Sequence, residues 1–127
     1  MSAAHLRLAP LMVLCLSLAA AALAGCHAAP RADAPLYLTT TRQADSTRLT
    51  LHAEPHLKIN ARLAPALELA DGTVLRFAGT RLTPDSAYFA EPPTALMPGR
   101  DRKPHGTLHA SVCRDDELVC RSLTLEL

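Results

Sequence analysis

The sequence predicts an all-β domain, an antiparallel β-sandwich, on three observations. Apolar and polar residues alternate in several short segments from Leu36 onward. Turn-forming residues separate those segments. No window after residue 25 keeps a helical period over two turns. Alternation with a period of two suits a strand with one face on a core and the other in water. A succession of such strands buries its apolar faces by packing sheet on sheet.

The elements follow in order. Leu36 and Leu38 flank Tyr37 and lead into Thr39-Thr40-Thr41. From Arg48 to Ala53, Leu49, Leu51 and Ala53 share one face, with Thr50 and His52 on the other. Leu57, Ile59 and Ala61 alternate with Lys58, Asn60 and Arg62. Leu67-Glu68-Leu69 runs into Asp71-Gly72, a hairpin signal, and Thr73 to Phe77 returns. Thr83 to Gly106 reads instead as a long loop. It holds Pro84, Pro92, Pro93, Pro98 and Pro104, together with Tyr88 and Phe89, two of the four aromatic residues in the chain. Two further strands, Thr107 to Cys113 and Leu118 to Leu127, close the domain. There are no internal repeats.

The chain ahead of this domain has a different character. Met1 to Arg7 carries one fixed positive charge, and Leu8 to Leu23 is almost wholly apolar. That run matches the core of a signal peptide and is short for a membrane span, which takes roughly 20 residues. Leu23-Ala24-Gly25-Cys26 follows and resembles the lipobox of bacterial lipoproteins. The resemblance implies removal of residues 1–25, a signal-peptide helix, and attachment of lipid to Cys26. Residues 26–35, rich in Ala and Pro, then form a flexible tether to a domain at 36–127. Each acyl chain contributes about 0.8 kcal/mol per buried methylene, so several anchor firmly. The implied location is the bacterial cell envelope, with the domain in the periplasm. His27 after the Cys favours the outer membrane over the inner.

Charge narrows the partners. Arg7 is the one Lys or Arg within residues 1–25, and none of the 12 Asp+Glu falls there. The part from Cys26 onward is therefore electrically balanced. Without a basic stripe, nucleic acid is not an expected partner. Polybasic attraction to anionic lipid is not expected either.

The cysteines carry the chemistry. Cys15 leaves with the signal and Cys26 takes lipid, so Cys113 and Cys120 remain as an even pair in a disulfide-permissive compartment. A hairpin turning at Asp116-Glu117 sets Asp115 opposite Leu118, Arg114 opposite Val119 and Cys113 opposite Cys120; a wider loop still keeps the two strands adjacent. Cysteines so paired lie within disulfide range. Strand parity places Cys113 with Thr107, His109 and Ser111, and Cys120 with Ser122, Thr124 and Glu126. Both faces are mostly polar, so the pair is expected to be reachable, as thiol exchange requires. Cys113 is the expected attacked sulfur, with Arg114 beside it to stabilise a thiolate.

Gly106 to Leu127, with Ser111-Val112-Cys113 and a second Cys seven residues on, resembles the end of the amino-terminal domain of the DsbD thiol:disulfide interchange proteins. Leu57-Lys58-Ile59-Asn60 through Pro65-Ala66-Leu67 is similar to a strand of that family, with Lys58 where His is usual. The resemblance spans about Arg48 to Leu127. It implies an immunoglobulin-like sandwich whose cysteine pair alternates between dithiol and disulfide, at positions Cys113 and Cys120. It also implies a thioredoxin-like periplasmic partner, and a loop covering the pair. The family's membrane and thioredoxin domains have no counterpart in the sequence. If the chain is an enzyme, it is a thiol–disulfide exchange module. The other reading is a non-enzymatic envelope lipoprotein with a structural disulfide and a binding or assembly role.

No cofactor is expected. His109, Cys113 and Met97 are the nearest approach to a copper or zinc set, but strand residues four apart span about 13 Å, so no metal site is assigned. Hydrolase and phosphate-loop motifs do not occur. Asp115-Asp116-Glu117 reads as a solvated turn, and Arg100, Arg102 and Lys103 as a solvated loop tip.

Overall fold

The structure is a computed structural model, and it describes residues 34–127. The signal segment, Cys26 and most of the expected tether lie outside the described residues. Among the described residues the secondary structure is all β: β1 (Leu36–Gln43), β2 (Ser46–Ala53), β3 (Leu57–Ile59), β4 (Ala66–Leu69), β5 (Val74–Arg76), β6 (Thr94–Pro98), β7 (Gly106–Arg114) and β8 (Arg121–Glu126).

All the pairings are antiparallel. β1, β2 and β6 form one sheet. The second is built on β7, the longest strand. β3 and β4 lie end to end along one edge of β7, β8 lies along the other, and β5 extends the sheet beyond β4. The inward faces meet in one core. Leu49, Leu51 and Met97 come from the first sheet, and Ile59, Leu67, Leu108 and Val112 from the second. Each such side chain contributes about 1.5–3 kcal/mol on burial. The sheets also join at one corner, where Ala78 and Thr94 exchange backbone hydrogen bonds of 2.9 and 2.8 Å.

The alternations place these strands well, because the same residues that alternate in sequence are the buried ones. β3 is shorter than its alternation suggests. The Asn60 side-chain carbonyl accepts the N–H groups of Arg62 (2.9 Å) and Leu63 (3.3 Å), turning the chain away. The Asp71-Gly72 turn forms between β4 and β5. Gly72 takes φ 85°, and Asp71 caps it by accepting the Thr73 N–H at 2.9 Å.

β6 is an element the proline-rich reading missed. Thr94 and Leu96 alternate with buried Ala95 and Met97, between Pro93 and Pro98. Both prolines stand where a strand begins or ends, which tolerates a missing N–H.

Candidate functional site

The chemistry sits at one end of the second sheet. The β7–β8 register runs from Thr107 opposite Glu126 to Val112 opposite Arg121, and the next pair in that register is Cys113 and Cys120. Their sulfurs are bonded, with Cα atoms 4.1 Å apart. β8 begins only at Arg121, so Cys120 lies in the loop and the connection is wider than a two-residue turn.

The two halves of the cystine differ sharply in exposure. Cys113 is 3% exposed, whereas Cys120 is exposed. The expectation that both sulfurs are reachable, with Cys113 attacked, is therefore corrected: access favours Cys120. Parity is as expected, since Cys113 and Ser111 point away from the core-facing Val112. What alternation does not reveal is that Cys113 is buried on this face, or which residues stand beside it.

Three residues neighbour it in the sheet. Lys58 is the β3 residue directly opposite Cys113. Asn60 follows on the same face, its N–H bonded to the Ser111 carbonyl at 2.9 Å and its side chain reaching the Ser111 hydroxyl at 3.4 Å. Tyr88 pairs with Asn60 from the proline-rich segment. The Ala61 N–H donates to the Ala87 carbonyl (2.8 Å) and the Phe89 N–H to the Ile59 carbonyl (3.1 Å), so this segment lies along the free edge of β3.

Local hydrogen bonds hold the segment in shape. The Thr83 hydroxyl donates to Asp85 (2.6 Å) and accepts the Tyr88 N–H (3.1 Å), and the Ala87 N–H also donates to Asp85 (3.1 Å). These bonds, with Thr83 first, hold the Asp85 carboxyl below its usual range. The Lys58 ammonium lies 5.5 Å from the centre of the Tyr88 ring and 2.7 Å from Asp115. The hydrogen bond to Asp115 raises the Lys58 pKa.

The acidic run is not simply solvated. Asp115 pairs with Lys58, Asp116 with Arg114 at 3.0 Å, and Glu117 with Arg121 at 2.8 Å. The Arg114 hydrogen bond holds the Asp116 carboxyl low, and the same contact raises Arg114. Arg114 is thereby committed to the loop carboxylates, and the cation on the face of Cys113 is Lys58. Beyond these charges the tip is apolar: Leu118 is fully exposed and Val119 is 71% exposed. On the opposite side of the hairpin a cleft of about 360 Å³ is lined by Leu57, Val112 and Leu123 together with Arg114, Glu117 and Arg121.

The other candidates do not converge. Met97 is fully buried in the core, the Cys113 sulfur is in the disulfide, and His109 is exposed beside Thr124. Among the described residues no three His, Cys, Asp or Glu side chains are grouped to hold a metal ion. Arg100 is paired with Asp45 at 3.0 Å, and the Arg102 side chain donates to the Pro98 carbonyl, so that loop packs on the β1–β2 turn.

Compared with protein-family models, curated proteins and solved structures, the chain matches none of them.

Proposed function

We propose that this chain is a lipid-anchored envelope protein whose immunoglobulin-like domain exchanges its Cys113–Cys120 disulfide with a thiol of a periplasmic, thioredoxin-like partner. One observation carries the reading: the cystine is half-covered, with Cys113 sealed and Cys120 open at the rim of the sheet. Exchange needs one reachable sulfur and a defined leaving thiolate. The exposed Leu118-Val119 tip next to Cys120 gives a partner an apolar surface to grip. Anchoring rests on the lipobox at Cys26, and His27 favours the outer membrane.

Single-cysteine variants test the exchange. With Cys113→Ser, Cys120 has no internal sulfur to return to, so the variant should accumulate a mixed disulfide with its partner. Cys120→Ser should accumulate much less. Equal or absent trapping by both would overturn the assignment. Anchoring has its own test: the mature amino terminus should be Cys26 carrying acyl mass, and an unmodified terminus elsewhere would refute it.

A second reading has its own support. The β7–β8 ladder stops at Val112–Arg121, and the disulfide holds the hairpin just beyond it. Closing a loop of this size contributes about 2.5 kcal/mol by chain entropy. On that reading the protein is a non-enzymatic lipoprotein and the pair is a staple.

A further inference from the structure

We infer that Lys58 is the positioning residue that holds Cys113 as a thiolate once the disulfide opens, by transferring its ammonium from Asp115 to the released sulfur. The inference deepens the exchange reading and rests on it.

The geometry supplies the argument. Residues directly opposite on antiparallel strands project to the same side with Cβ atoms about 4.5–5.5 Å apart, and Lys58 is the residue opposite Cys113. Its ammonium lies 2.7 Å from Asp115, in the turn just after β7, and 5.5 Å from the centre of the Tyr88 ring, whose backbone bridges Asn60 beside Ser111. Lys58 thus reaches across the row that contains Cys113. The charged and titratable groups around this face come from every neighbouring element: Lys58 from β3, Asp115 from the turn after β7, Cys120 before β8, and Tyr88 and Asp85 from the proline-rich segment. Arg114 and Arg121 are held by Asp116 and Glu117.

The electron balance is simple. A thiolate of a dithiol protein attacks the Cys120 sulfur. A bond forms between those two sulfurs, the Cys113–Cys120 bond breaks, and its electron pair goes to Cys113. The partner's second thiolate then attacks the partner sulfur of the mixed disulfide and releases Cys120 as a thiolate. The partner is oxidised, this domain is reduced, and the two protons of the dithiol pass to solvent or to the released sulfurs. Lys58 keeps its proton throughout. It provides charge where Cys113 gains it, and a lower leaving-group pKa speeds departure. In the oxidised protein that charge is occupied by Asp115, so it need not stay unpaired.

The test is the pH titration of the Cys113 Cβ carbon chemical shift in the reduced full chain labelled at cysteine, which reads ionisation of a buried thiol without reagent access. Lys58→Met should raise the midpoint by about one pH unit, tenfold less thiolate at a fixed pH. Lys58→Arg, which keeps the charge, should leave it near wild type, and Asp115→Asn should lower it. An unchanged midpoint in Lys58→Met, or equal shifts in the Met and Arg variants, would overturn the inference. Failure of the exchange reading looks different: the midpoint shifts as expected, but a protein dithiol does not reduce the oxidised protein.

Discussion

Lys58 and Cys113 face each other across the β3–β7 pair, and the half-exposed Lys58 ammonium ends 2.7 Å from Asp115. This relationship joins three segments that lie far apart in sequence. β3 provides the cation, β7 the sulfur, the loop after it the acidic partner, and the proline-rich segment the aromatic ring beside the cation. The cystine is consequently open on one side only, and the expected behaviour of each variant follows from that asymmetry.

The apolar tip should matter for encounter and not for folding. Leu118 and Val119 are exposed, and substitutions at such positions usually change stability by less than about 0.5 kcal/mol. The double variant Leu118→Asp, Val119→Asp should keep its melting temperature yet slow exchange with a protein dithiol by tenfold or more. Its reaction with a small thiol such as glutathione should be nearly unchanged. Equal rates for the protein dithiol in wild type and variant would remove the tip from recognition.

Acid should loosen the proline-rich segment. The Asp85 carboxyl is held below its ordinary value of 3.8, first by the Thr83 hydroxyl and then by the Ala87 N–H. A carboxyl with a depressed folded pKa contributes stability that is present above the unfolded value and lost as pH falls through the folded one. Amide protection at Ala87 and Tyr88 should therefore hold at neutral pH and decline below about pH 4. Asp85→Ala should show the reduced protection already at neutral pH. Protection that ignores both the acid and the substitution would separate Asp85 from the order of this segment.

Much of the fold was legible, and the exceptions have physical causes. Parity sorted β2, β4 and β7 correctly because Leu49, Leu51, Leu67, Leu69, Leu108 and Val112 bury one face. The supposed pairing of Cys113 with Cys120 matches the structure, since both continue the Val112–Arg121 ladder, although the loop between them is wider than an Asp116-Glu117 turn. β6 stayed hidden because Pro93 and Pro98 bound a strand only five residues long. The burial of Cys113 was not legible either. Alternation tells which face a residue points to, not how far that face is buried by segments distant in sequence. The pairing of Arg114 with its nearest carboxylates, Asp116 and Glu117, was not legible for a related reason.

Two glycines should respond very differently to Ala. At Gly106 (φ 154°) an added Cβ would lie 2.0 Å from the Glu68 carbonyl oxygen, where β4 pairs with β7. Backbone must move, so Gly106→Ala should cost about 3 kcal/mol. At Gly72 (φ 85°) nothing lies within 4 Å of the added atom, leaving only the left-handed backbone penalty of about 1–2 kcal/mol. Urea denaturation of the two variants checks the order. A Gly72 cost equal to or above that of Gly106 would contradict the β4–β7 register.

The most direct test of the central claim is the reduction potential of the Cys113–Cys120 pair, from equilibration with glutathione or dithiothreitol buffers. An exchanging pair should lie above about −300 mV, where a periplasmic dithiol can reduce it. A potential well below that, with no reduction by a protein dithiol, would make the disulfide a staple and contradict the account.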